Sequence, residues 1–465
     1  MRLTIFAGGR RRTYAMLAIV AALPRLAVLL YERADILAAY TEKSDDFART
    51  LVASGTFGLI PGEPSAYTQP LYAFFLTPLY WIFGRHWPVV GLAQVAVAVV
   101  TAWLVYEVGR RILADRRLAA AAAAIATLEP YALWHDVHVN REILDAPLAA
   151  ALVLLTLVAC ERGSRRWWAA LGAVSAVAVL SNVRLLALPL VLLAYLAWRR
   201  GLTARTLAGC ATLLVAFVVV LVPWPARNEA QVGCFTITTD SLALWKANNP
   251  RTYATLARGG WIDDVLPQLT VPTILAHDVR SPLGTEVVLD GRRLPVTTED
   301  AARVYRASGV LLPVDECAQM RHYQGEVLDY WRDHPGEKAR LAAQATAMLW
   351  TPRVPETEGR QGAGTLVDRG RSIAEPVYLI PLYALALVGL LAVPLPFGAL
   401  AVLLLGYQTG AAAVFAGTTR YRSVWDFLIV VLAVAGAARL YALLRGKRPV
   451  ERVQRLRGTV GSEGG

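Results

Sequence analysis

The sequence predicts an all-α polytopic membrane protein of about ten spans, with surface helices in its first outer loop and a small extracytoplasmic domain. Three observations lead there. Hydrophobic residues make up 56% of the 465-residue chain and fall in long runs. Runs of roughly 17–25 apolar residues match the hydrocarbon thickness of a bilayer. Basic residues collect between the runs, and one stretch, residues 224–376, interrupts the apolar pattern for long enough to form its own domain.

The expected spans lie near 14–31, 88–109, 118–134, 143–160, 167–182, 184–198, 206–223, 377–393, 398–416 and 424–442. The first is too long for a signal peptide and has no small-residue cleavage pattern, so it reads as a retained span. With the N-terminus inside, alternation also puts inside the basic segments "RRILADRR" (110–117), "ERGSRR" (161–166), "WRRGLTAR" (198–205) and "RGKRPVERVQRLRG" (445–458). That agrees with the positive-inside rule. Merging the fifth and sixth spans would move "WRRGLTAR" outside, so ten spans with both termini cytoplasmic is the preferred count.

This reading divides the chain into an N-terminal transmembrane module (1–223), an extracytoplasmic loop domain (224–376), C-terminal transmembrane helices (377–445) and a basic cytoplasmic tail (446–465). The first outer loop, 32–87, is only partly polar. Residues 44–54 read as a short helix started by Ser44, and the apolar stretch 70–84 reads as a second, both lying at the membrane surface. Residues 319–353 read as two helices broken at "HPG", whereas 265–315 alternates too weakly to assign.

The net charge of +12 is explained by those inside loops. No Gly-rich phosphate loop and no aromatic-studded basic patch suggests a nucleic-acid partner. Of four cysteines, Cys160 and Cys210 fall in or beside spans, while Cys234 and Cys317 share the long outer loop, where an oxidising compartment permits a bridge.

Sidedness sorts the ionisable groups. Glu42, Asp45, Asp46, His138, Arg141, Glu142, Asp145, Arg184, Arg227, Arg420 and Arg422 all fall outside, near span ends. Arginines there suit a phosphate held in forked hydrogen bonds, and a carboxylate suits a general base toward an incoming hydroxyl. Each has a plainer reading. "SDD" is an ordinary helix start. His135 and His138 beside Asp136 offer ligand-type side chains, but the stretch reads more simply as a polar interfacial loop. Glu142 and Asp145 suit a helix N-terminus, although Asp145 and Arg184 sit at membrane depth, where an ionisable group points to function.

Several stretches, in this order, resemble polyprenyl-phosphate-dependent glycosyltransferases of the GT-C superfamily, in the protein-mannosyltransferase and aminoarabinose-transferase branch. They are "SDDFARTLVASGTFG", "QPLYAFFLTPLYWIFG", "VNREILDAPLAA", "PWPARNEAQVGCFTITTDSLALWKANNP" and "TTRYRSVWDFLIVVLAVAG". The resemblance implies a GT-C helix bundle in the plasma membrane. It implies an inverting transfer of a hexosyl or pentosyl group from a polyprenyl-phosphate sugar to a glycan, lipid or protein hydroxyl outside. Carried over by position, Asp45 is the preferred base, with Asp46 and Glu42 as the other registers. Glu142 orients acceptor or base. Arg420, then Arg422, Arg184 and Arg227, hold the donor phosphate. Glu42, His138, Arg141, Asp145, Tyr67 and Gln69 line the site. Gln69 departs from the basic residue common before that proline. No cofactor is required by this chemistry, and a divalent metal is left open. The competing class is a transporter or flippase of a lipid-linked sugar, which would be expected to show repeat symmetry; the seven-to-three division of spans shows none.

Overall fold

A computed structural model describes residues 4–39, 42–352 and 365–446. The tail expected at 446–465 lies almost wholly outside the described residues.

Among the described residues, seven helices are long and apolar enough to cross a membrane: Arg10–Leu37, Trp87–Ile112, Glu142–Arg162, Ala204–Val232, Ser372–Leu390, Leu395–Val414 and Asp426–Leu444. They correspond to seven of the ten expected spans. The other three are present as shorter helices, Arg116–Thr127, Arg165–Ser181 and Leu188–Arg200. At 1.5 Å per residue these reach roughly 18–26 Å, less than a bilayer core of about 30 Å. The third expected span breaks at Glu129, where Pro130 opens a separate helix, Pro130–His135. Between the fifth and sixth, Asn182–Ala187 forms a single 3₁₀ turn and its flanks. Irregular backbone at such a depth is tolerated where it lines a cavity.

The bundle packs around an aliphatic core that includes Leu17, Val153, Leu171, Leu192, Leu400 and Leu428. Helices Thr365–Leu390 and Asp426–Leu444 approach backbone to backbone, since a side chain at Gly389 or Gly436 would collide with the facing carbonyl of Leu432 or Leu385. Small residues allow such close packing in membrane bundles.

The first outer loop differs from expectation. Helix Pro70–Phe83 does turn Phe74, Trp81, Ile82 and Phe83 outward. Helix Lys43–Ser54 instead buries Phe47 and Ala48 in a core shared with Val287, Val296 and Val304 of the loop domain. It is sandwiched rather than laid on a surface, because its apolar face meets a protein partner that arrives later in the chain. Glu316 joins the two parts. Its buried carboxylate accepts hydrogen bonds from Ser65 Oγ (2.5 Å), Ala66 N (3.0 Å), Thr239 Oγ1 (2.8 Å) and Thr298 Oγ1 (2.9 Å).

The loop domain is not all-α. Strands Asp278–Ser281, Gly284–Leu289 and Arg292–Pro295 form an antiparallel meander within the unassigned stretch. Asp290 and Gly291 both take positive φ, 50° and 75°, and close the second hairpin with the two-residue Asp-Gly turn that suits strand twist. Cys234 and Cys317 are joined by a disulfide.

Helix Pro335–Trp350 carries Lys338 back to the membrane bundle. Its ammonium donates to Asn248 Oδ1 (2.5 Å) and to the carbonyl oxygens of Ala413 (2.8 Å) and Val414 (3.4 Å), which end helix Leu395–Val414. Those carbonyls have no partner inside their own helix. Burial pulls the amine down from 10.5 to about 8. The unfolded chain therefore binds the proton more tightly, so this group's contribution to stability grows as pH rises from about 8 to about 10.5 and is lost as pH falls through 8. Thermal midpoints of nanodisc-held protein across pH 7–11 should show that slope, and Lys338→Met should flatten it.

Candidate active site

Beneath the loop domain, where the short helices end, a cavity of about 380 Å³ opens. Its lining comes from four separate parts of the chain: Glu42, Lys43, Tyr67 and Gln69 of the first loop; Arg141; Arg184; and Phe415, Arg420 and Tyr421 ahead of the last helix. The loop domain closes it with Asp240, Lys246, Trp261, Asp263 and Glu299.

Arg420 is the centre of the floor. Its Nε donates to Glu142 Oε1 (2.5 Å), and its Nη2 donates to Glu42 Oε1 and to Asn140 Oδ1 (3.2 Å). Arg141 Nε lies 3.9 Å from Glu42 and 3.8 Å from Glu142, and its Nη1 donates to Gln69 Oε1 at 2.9 Å. Two acids thus share two guanidinium groups in a largely buried setting. Local chain geometry fixes this arrangement. Glu42 N donates to Val139 O (3.2 Å), holding the first loop beside the segment that carries Arg141 and Glu142. Thr418 caps the short helix Thr419–Ser423 and aims Arg420 inward.

Arg184 stands apart from that group. Its guanidinium stacks 3.5 Å over the Tyr421 ring, and its buried Nη1 donates to no protein acceptor. Stacking holds the plane while leaving donors for an anion. On the loop-domain side, Lys43 donates to Asp240 Oδ2 (2.5 Å), approaches Glu299 (3.5 Å) and lies 4.3 Å over the Tyr67 ring. Burial works to lower the Lys43 pKa, but the two carboxylates more than offset it and the net shift is upward. Lys246 pairs with Asp263 at 2.9 Å.

Of the residues singled out in the sequence, Glu42, Arg141, Arg184, Arg420, Tyr67 and Gln69 line this cavity, and Glu142 stands behind the wall, bonded to Arg420. Asp45 does not. It is buried, receives Tyr80 Oη (2.5 Å), and is clamped by Arg85 Nε (3.0 Å) and Nη2 (2.7 Å). One turn of helix separates it from Glu42, and that turn rotates its carboxylate toward helix Pro70–Phe83. Asp46 pairs with Arg49 and Arg306 outside the cavity. Arg422 is buried on Asp426 (3.1 Å) and the carbonyls of Leu349 and Thr351, while Arg227 holds the carbonyls of Phe57 and Ser65; both brace the fold. His138 is buried between Trp134 O (2.9 Å) and Glu32 (3.4 Å). Asp145 lies under the floor, accepting from Ser181 Oγ (2.5 Å) and Asn182 Nδ2 (3.1 Å) just before Arg184. Among the described residues, no group of three or more His, Cys, Asp or Glu side chains is placed to hold a metal ion.

Sequence reasoning missed Lys43, Lys246 and the acids opposite them. Asp240 and Lys246 stand in "TTDSLALWK", near the start of the loop domain, but nothing in that stretch says that it folds back over the membrane module.

Residues 64–224 match the family model described as dolichyl-phosphate-mannose-protein mannosyltransferase. The match covers less than half of the chain and takes in Tyr67, Gln69, Arg141, Glu142 and Arg184. The match is in line with the resemblance read from the sequence. Two solved structures are similar to this chain, both crystal structures of ArnT from Cupriavidus metallidurans. The apo state shows 17% identity over 94% of this chain and 78% of that one, with a TM-score of 0.37. The form bound to undecaprenyl phosphate shows 18% identity over 94% and 79%, with a TM-score of 0.41. No curated protein matches the chain.

Proposed function

We propose that the chain moves a sugar from a polyprenyl-phosphate donor to an acceptor hydroxyl, with inversion, at the extracytoplasmic face of the plasma membrane. Both termini lie on the cytoplasmic side in this reading. The observation that carries it is the cavity floor, where Glu42 and Glu142 meet Arg420 beside Arg141 and Arg184. An acid and a cation cluster at one cavity is what displacement of a phosphate by a hydroxyl needs. The acceptor oxygen attacks the anomeric carbon as the bond from that carbon to the phosphate oxygen breaks. The acceptor proton passes to Glu42, and polyprenyl phosphate leaves with the bonding pair. Charge grows on the leaving phosphate, and fixed guanidinium donors stabilise such charge most when water is excluded. Arg184 supplies unengaged donors, and Arg141 and Arg420 supply the surrounding field. Glu142 holds Arg420 in place.

The test is turnover. Wild-type protein in nanodiscs is given radiolabelled polyprenyl-phosphate sugars, hexosyl and pentosyl, with membrane extract as the acceptor source. Release of polyprenyl phosphate from one donor, with the label appearing in product of inverted anomeric configuration, is the expected result. Donor binding without release from any of them would overturn the proposal in favour of transport.

A further inference from the structure

Behind the cavity floor lies a second, internal chamber of about 50 Å³, set among the helices and lined by Arg25, Thr127, Glu129, Asp136, Glu142 and Ser423 together with alanines and aromatic rings. Glu142 faces both ways. Its Oε1 takes the Arg420 hydrogen bond, while its buried Oε2 meets no protein donor. Glu129 repeats the pattern on the same chamber. Its Oε2 accepts from Ala132 N at 2.6 Å, and its buried Oε1 meets no protein donor. Elsewhere on the wall, Arg25 spends its donors on Asp136 Oδ2 (2.6 Å) and Thr127 O (2.9 Å) and has none directed to either glutamate.

We propose that this chamber binds a small cluster of ordered waters, which donate to Glu142 Oε2 and Glu129 Oε1 and so hydrate the acid of the floor from behind. Buried carboxylate oxygens require donors. The volume has room for roughly three waters, and the wall carries the polar groups of Thr127 and Ser423 beside the two carboxylates. Apolar voids stay dry, but this one has carboxylates on two sides. With Oε2 hydrated, Glu142 keeps its other oxygen turned to Arg420. The inference stands apart from the transferase reading, because the waters would be present in a protein of any activity.

Hydroxyl-radical footprinting of the wild-type protein in nanodiscs tests it, since radiolysis of a bound water oxidises the side chains beside it. Tyr131 and Phe427 line the chamber, yet are only 2% and 5% exposed. Both should be labelled at least tenfold faster than Tyr72, which is 1% exposed and off the chamber. Ala102→Leu, which fills the chamber, should bring them down to the Tyr72 rate; Ala98→Val serves if that variant does not fold. Wild-type labelling no faster than at Tyr72 would show a dry chamber and overturn the proposal. Fast labelling that persists in the filled variant would do the same, by placing the water elsewhere.

Discussion

Arg420→Ala is expected to reduce transfer by about 10²–10³-fold, the loss seen when one fixed donor is taken from developing negative charge. Its effect on folding should be large as well. Arg420 neutralises Glu42 and Glu142 together, and their side chains are only 15% and 7% exposed. Removing one partner of a buried ion pair typically costs about 3–5 kcal/mol, because the charge left behind has no compensation. Arg141 remains within 4 Å of both acids and limits the damage. Arg420→Lys separates the two effects. A single ammonium restores charge, and hence the thermal midpoint, but cannot bond both acids through a fork. Turnover should therefore stay low in a protein that folds well. Wild-type turnover in a correctly folded Arg420→Ala protein would remove the arginine from the mechanism.

Glu42→Gln is expected to abolish transfer, by about 10²–10⁴-fold for loss of a general base, while donor binding persists. Asp45→Asn should behave in the opposite way. It weakens the clamp from Arg85 and Tyr80 and lowers the thermal midpoint, yet protein that remains folded should retain most of its specific activity. The two variants are best read side by side, with turnover normalised to folded protein by gel filtration. Folded but inactive Asp45→Asn, paired with active Glu42→Gln, would return the role of base to Asp45.

That contrast shows what the sequence made legible and what it did not. The acids after the first long apolar run, Glu142 and the arginines near run ends are legible as types expected on one side of a membrane. Which of three acids within five residues faces the cavity was not, because a helical register rotates each by about 100° and depends on partners far along the chain. Asp45 is turned away by Arg85, a residue with no local signal. Arg420 and Arg422 share spacing and sidedness, but the second is taken by Asp426 one turn later, a pairing that i, i+4 spacing on a helix permits. Apolar runs located seven long helices and three shorter ones among the described residues, but run length did not show that the helix after Arg116 stops at Thr127. The meander in the loop domain leaves a trace in the sequence: Asp290-Gly291 between alternating residues is a hairpin signal, weakened by strands only four to six residues long.

The shared core of the first loop and the loop domain also bears on how the protein is made. Ser65 and Glu316 are 251 residues apart. At synthesis rates of about 5–20 residues per second, roughly 10–50 s pass between the emergence of one and of the other. Throughout that interval Phe47 and its neighbours have been made, with no Val287 or Val304 to cover them. Newly made chains thus present an uncovered apolar helix face until the ribosome has nearly reached the last three helices. A holding chaperone, or the lipid surface itself, has that much time to occupy the face. Chains stalled or cleaved before residue 287 would carry it permanently and be open to degradation.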